Sequence, residues 1–159
     1  MGEIEERIAE KGLPGKFDYL EHPADVYIRA YGKDIIELFE NSGLALFETM
    51  VDTSKVEPLV EKVIETEGFD LENLLYRWLE DLLTLYYSEN LVFSEIIVKE
   101  IVIEKKNGDI YYRLRGLCKG EQYNQEKHEP RVEVKAVTYH LMKIVKDENE
   151  WRAYFVLDI

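Results

Sequence analysis

Residues 70–114 read DLENLLYRWLEDLLTLYYSENLVFSEIIVKEIVIEKKNGDIYYRL, and the change of period inside this stretch decides the fold. Leu71, Leu74, Leu75, Trp78, Leu79, Leu82 and Tyr86 recur at helical spacing as a wide apolar stripe, and Asp70 is placed to cap the first turn. The spacing predicts a helix whose stripe faces a core, because a cofactor-binding face would need polar groups interrupting it. Beyond Asn90 the pattern changes. Ile96, Ile97, Val98, Ile101, Val102 and Ile103 precede Asn107-Gly108, and Ile110, Tyr111, Tyr112 and Leu114 follow. β-Branched and aromatic runs flanking an Asn-Gly pair predict an antiparallel hairpin, since both turn positions need a positive φ.

Toward the N-terminus, the chain reads as strand from Phe17, and Val26, Ile28 and Ala30 alternate with Tyr27, Arg29 and Tyr31 before Gly32. Asp34 and Glu37 mark a helix start, and Ile35, Phe39, Leu46 and Met50 carry the helix to about Met50. A strand is expected from Val60 through Ile64 to Gly68. Residues 1–16 are acidic, place Ile4 and Ile8 one helical turn apart, and end in Gly12-Leu13-Pro14-Gly15; they read as a flexible extension of a domain spanning 17–159. Residues 132–145 are apolar enough for a strand or a buried helix and are read as strands, Lys135–His140 included. Asp147–Glu150 then reads as a turn before a last strand, Trp151–Ile159. Helices first and strands later, without repeats, predict a single α+β domain: a mostly antiparallel or mixed β-sheet packed with two main amphipathic helices.

The length of 159 residues suits one domain that buries roughly 70% of its unfolded surface. The formal charge is −13, and all of the excess lies in residues 1–90, with 8 basic and 21 acidic side chains; residues 91–159 hold 12 of each. Such a balance disfavours direct capture of nucleic acid, which needs clustered Lys and Arg, and predicts an acidic face suited to cations or to a basic protein. A solvated surface that only aids solubility is the plainer explanation. Cys118 is the sole cysteine, so an intrachain disulfide is impossible and a reducing, cytoplasmic setting is expected. The opening residues predict neither a secretory signal nor a transit peptide, Glu6 stands where N-myristoylation wants Ser or Thr, and no apolar run is long enough to span a membrane.

No glycine-rich phosphate loop, zinc helix or nucleophile elbow is present. Three polar places remain. Glu21-His22-Pro23-Ala24-Asp25 puts several potential ligands in one short turn: the carboxylates suit a hard cation, His22 a transition metal, although such turns are commonly caps or surface loops. The last residues, Leu157-Asp158-Ile159, set an acidic side chain beside the terminal carboxylate directly after a run that should be buried. If Asp25 lies next to it, a cation would relieve the repulsion; otherwise the end is simply solvated. Lys135 to His140 brings polar heads into an apolar segment, where His140 with His22 and His128 would make an imidazole site, or each would be a satisfied structural histidine. Cys118 has no neighbouring histidine or basic cluster to lower its thiol pKa.

The same places carry a resemblance. Tyr-Leu-Glu-His-Pro-Ala-Asp at 19–25, Val-Asp-Thr-Ser-Lys-Val at 51–56, Val-Lys-Ala-Val-Thr-Tyr-His at 134–140 and the closing Leu-Asp-Ile occur in the order and spacing of the archease family. The chain resembles that family from about Phe17 to Ile159. The resemblance implies a small α+β accessory protein that assists an RtcB-type RNA ligase in tRNA splicing by promoting GTP-dependent guanylylation and repeated turnover. It also implies a divalent-cation site, usually Ca²⁺, on Asp25, Asp158 and the main-chain oxygen of Ile159. Asp52 matches a second acidic position, near the cation or at the partner surface, and His22, Lys135 and His140 fall inside the matching motifs. Pro23 departs from the family's Thr, which removes a backbone donor and fixes φ at that turn.

Three functions are therefore expected to compete: an activator of an RNA ligase; a stand-alone metal-dependent hydrolase using Asp25 and Asp158 with His22 or His140 as general base; and a chaperone-like protein-binding module, which needs a large exposed apolar patch.

Overall fold

Helix α1 (Ile35–Met50) is buried on nearly every side, with Leu38, Phe39, Ala45, Leu46 and Phe47 fully enclosed. A helix buried all round must be packed on both flanks, and the computed structural model, which describes residues 7–159, shows how. Strand β3 (Val26–Gly32) packs on one flank of α1, and β5 (Leu91–Lys106) on the other. Helix α2 (Leu71–Glu89) presents the expected Leu74, Leu75, Trp78, Leu79 and Leu82 stripe to the same core, and Trp78 Nε1 donates to Phe39 O of α1 at 3.0 Å.

The ends of both helices form for local reasons. Asp34 accepts the Glu37 N–H at 2.8 Å while Glu37 accepts the Lys33 N–H at 3.1 Å, and Asp70 accepts the Asn73 N–H at 2.7 Å. These bonds satisfy donors that the first helical turn leaves unpaired. Asn90 ends α2 in the left-handed region at φ 57°.

Two antiparallel sheets enclose the helices. The smaller has the order β4 (Val60–Gly68), β6 (Asp109–Gln122), β5, and its β5–β6 hairpin turns at Asn107-Gly108 with φ of 50° and 85°, as the Asn-Gly signal requires. The larger has the order β1 (Ile8–Lys11), β2 (Phe17–Leu20), β3, β9 (Trp151–Asp158), with β7 (Ala136–Val137) and β8 (Lys143–Lys146) sharing the far edge of β9 end to end. One short helix, α3 (Gln125–His128), precedes β7. The architecture is the expected α+β arrangement of antiparallel sheets and two main helices.

Two local expectations are corrected. Ile8 starts a strand paired to β2 rather than completing a helical turn, because the open edge of β2 offers it backbone partners; the reading of 1–16 as a flexible tail gives way from Ile8 onward, while Ile4 lies outside the described residues. Lys135–His140 is not one strand. Only Ala136 and Val137 pair with β9, after which Thr138 turns its hydroxyl to Val156 O at 2.9 Å and Leu141 takes φ 58°, so the chain bends before β8.

Candidate functional site

The β3–β9 register runs from Gly32 opposite Trp151 to Val26 opposite Leu157. One further step sets Asp25 at the position facing Asp158, so the strand that begins after the Glu21–Asp25 turn and the strand that ends the chain bring their two aspartates to the same end of the sheet. Side chains alternate along a strand. Asp25 therefore shares a face with Tyr27, and Asp158 with Val156; Tyr27 and Val156 belong to a small apolar cluster on the side of the sheet away from the main core. Both aspartates are half-buried and Ile159 is exposed.

The turn before Asp25 is tight. The Asp25 N–H donates to Pro23 O at 2.9 Å, and Ala24 between them holds φ 70°, a region that residues with a Cβ seldom adopt. Proline at 23 thus supplies the accepting carbonyl, and its missing N–H is not needed there. On the other side of β9, the Lys135 N–H donates to Asp158 O at 2.7 Å. That bond engages the Asp158 carbonyl and leaves its side-chain carboxylate and the Ile159 main-chain oxygen at this end. The Lys135 side chain is exposed and borders a groove with Tyr76 and Tyr87 of α2.

His22 and His140 come together with ring centroids 5.7 Å apart, and His22 lies at the same distance from Tyr27. The buried Nδ1 of His22 has no hydrogen-bond partner in the structure. His128 does not join them. It is fully buried elsewhere, accepting the Asn124 N–H on Nδ1 at 2.9 Å and donating from Nε2 to Glu121 at 2.9 Å. The three-histidine arrangement is thereby excluded. Cys118 is buried as well, and burial pushes its thiol up to about 12, so it is no nucleophile at neutral pH.

A cleft of about 660 Å³ opens beside the turn, lined by Asp25, His22, Tyr19, Glu48 and Arg131 among others. Arg131 pairs with Glu48 at 3.1 Å and reaches Asp52 at 3.7 Å, so it ties the cleft wall to the 51–56 loop. Asp52 itself accepts the Ser54 hydroxyl at 2.6 Å and the Ser54 N–H at 3.0 Å. The hydroxyl bond is the main reason its carboxyl sits below the ordinary range; partial burial opposes it, and the Ser54 N–H and Arg131 add to the lowering. Asp52 thus shapes its own loop, one guanidinium away from the cleft. Tyr19 closes the cleft floor against Thr49 Oγ1 at 3.0 Å, and burial raises its hydroxyl pKa. Sequence reading missed Tyr19, Glu48 and Arg131 as a group, because no spacing signals a contact between β2, the end of α1 and residue 131.

Among the described residues, no three His, Cys, Asp or Glu side chains converge as a metal cage. Two aspartates and the Ile159 main-chain oxygen would make an oxygen donor set, whose chemistry fits a hard cation rather than a thiophilic one. Among the described residues, no helix is long and apolar enough to cross a membrane.

Comparison with known proteins gives a consistent result. The model of the archease protein family matches residues 17–159. Protein archease of Sulfurisphaera tokodaii is 49% identical over 144 residues, covering 91% of this chain and 99% of that protein, and protein archease of Pyrococcus furiosus is 49% identical over 145 residues with the same coverage. The solution structure of Methanobacterium thermoautotrophicum protein 1598 superposes with a TM-score of 0.73 at 37% identity, over 94% of this chain and 99% of that one. The four matching sequence motifs, the α+β fold and these relatives agree: the chain belongs to the archease family.

Proposed function

We propose that this protein is an accessory activator of an RtcB-type RNA ligase in tRNA splicing, and that it acts through a divalent cation held at the end of β3 and β9. The observation that supports the reading is the β3–β9 register, whose last pair, Val26 with Leu157, is followed directly by Asp25 on one strand and Asp158 on the other. Two carboxylates at one strand end would repel each other, and a divalent cation would offset that repulsion. Asp25, Asp158 and the Ile159 main-chain oxygen would hold the ion, with Ca²⁺ favoured by the all-oxygen donor set. The ion would supply a fixed positive charge for a partner's phosphate or carboxylate group. The chain's own residues shape the place around it: the Pro23–Asp25 turn aims Asp25, Lys135 fixes the end of β9, and Arg131 carries the cleft wall to Asp52. The excess of acidic residues in 1–90 suits a basic enzyme surface.

A ligation assay with the cognate ligase, run at single and at multiple turnover with and without this protein, tests the reading. Stimulation concentrated in the multiple-turnover regime is expected; no stimulation in either regime contradicts it.

The pairing of His22 with His140, and the place of His22 in the Asp25 cleft, favour a second reading, a metal-dependent hydrolase with one histidine as general base. Hydrolysis of a phosphodiester by the isolated protein, lost in His22→Ala, would support it; absence of turnover with Ca²⁺, Mg²⁺, Mn²⁺ or Zn²⁺ would remove it.

A further inference from the structure

Strand β5 stands at the edge of the smaller sheet, with β6 as its strand partner on one side. On the other side the Val98 N–H donates to Glu40 Oε2 of α1 at 2.9 Å. Backbone groups in a strand point to the two edges alternately, so Ile96 directs its N–H and C=O to the same outer edge as Val98. Bulges between Phe93 and Glu95 and between Val98 and Glu100 bracket this stretch and leave Glu95–Val98 regular. A groove of about 740 Å³ runs along it, between α1, the Pro14–Lys16 loop and Ser94–Ile97. Leu44, Ile96 and Ile97 give the groove an apolar lining, and Glu37, Glu40 and Glu95 give it three carboxylates. Lys16 and Lys119 oppose them, but Lys119 faces Glu61 at 3.6 Å. Burial raises the Glu40 carboxyl pKa while the Val98 N–H lowers it, so a cationic group arriving beside it would be favoured.

Open strand edges invite pairing, and proteins commonly guard them with charge. The opposite edge of this sheet is guarded in that way: β4 carries Glu61, Lys62, Glu65 and Glu67 along its length. At β5 the charges instead rim a groove that Leu44, Ile96 and Ile97 also line. We propose that the outer edge of β5 at Glu95–Val98 takes an extended, Lys- or Arg-bearing segment of a partner protein as an added strand. Main-chain bonds to Ile96 give the attachment; side chains on one face of the segment meet Leu44 with Glu37 and Glu40 of α1, and those on the other face meet Ile97 and Glu95. The short regular stretch between the two bulges limits the pairing to a few residues, which allows reversible docking without edge-to-edge aggregation. The groove shares no lining residue with the Asp25 cleft, so the proposal stands apart from the cation site and from the identity of the ligase.

The test is an amide NMR titration of the full chain with a capped octapeptide of alternating lysine and valine. Controls are its glutamate–valine counterpart and the lysine–valine peptide with every backbone nitrogen methylated. Shifts and slowed exchange centred on Ser94–Ile97 are expected, with affinity lower by about tenfold or more for the acidic peptide and no saturable binding by the methylated one. Glu95→Lys, at an exposed position, is expected to weaken the lysine peptide by several-fold while leaving the rest of the spectrum in place. Absence of shifts at Ser94–Ile97 overturns the proposal. Equal binding of the methylated peptide overturns strand addition, and equal binding of the acidic peptide or indifference to Glu95→Lys overturns the choice of a basic partner.

Discussion

Glu121 shows how one carboxylate can hold separate segments together. Burial alone would raise its pKa, but the Glu57 N–H at 2.8 Å, Lys127 and His128 donate to it and bring it down to about 2 from an ordinary value of 4.5. A depressed carboxyl contributes stability that is fully present above the unfolded value and is lost as pH falls through the folded one. The protein should therefore lose stability between about pH 4.5 and pH 2. Glu121→Gln should cost about 1–3 kcal/mol near neutral pH and flatten that acid limb, which urea melts between pH 3 and pH 7 would read. His128 shares this latch and also accepts the Asp52 N–H on its carbonyl at 3.0 Å, so the mutation should loosen the 51–56 loop as well. Cys118 gives a second residue-scale expectation: with its thiol raised to about 12, it should resist alkylation at pH 8 until the protein unfolds. Rapid labelling of the native state would contradict its buried placement. The Glu121 latch was not legible in the sequence, because it joins positions 57, 121, 127 and 128 only after the sheet forms, whereas the unreactive Cys118 was already expected from its lack of basic neighbours.

At the scale of elements, the sequence was most legible where one local rule sufficed. The α2 stripe ending in the Leu79–Leu82 turn, the Asp34 and Asp70 caps and the Asn107-Gly108 turn each depend on neighbours a few residues away, and each is found as expected. Gly108→Val should therefore destabilise the hairpin by about 1 kcal/mol or more, since φ 85° is unfavourable for a β-branched residue; thermal melts would detect it. Elements that depend on distant partners were not legible. Strand β1 exists because β2 has a free edge, and β7 shrinks to Ala136 and Val137 because β9 is shared with β8. The composition of 132–145 could not signal a bend at Leu141, since φ 58° there is imposed by the surrounding chain rather than by leucine.

At the scale of the whole molecule, the fold brings the 19–25 turn and residues 157–159 to one end of the larger sheet. The 19–25 motif and the closing Leu-Asp-Ile lie more than a hundred residues apart in the chain, and the β3–β9 pairing brings Val26 opposite Leu157, with Asp25 and Asp158 as the next residues. Spacing alone left this open, and the family resemblance pointed to it, whereas the Tyr19, Glu48 and Arg131 cleft came only with the structure. If the proposed cation site is real, Ca²⁺ should raise the Tm by several degrees at millimolar concentration and a chelator should reverse it. Asp158→Asn, which keeps the shape and removes the charge, should weaken the effect. The most direct test of the central claim is multiple-turnover ligation by the cognate ligase with the wild-type protein, Asp25→Ala and Asp158→Ala, each variant checked for a native melt. The account predicts that both folded variants lose most of the stimulation, at least about tenfold, as removal of a cation ligand should. Full stimulation by either folded variant would contradict it.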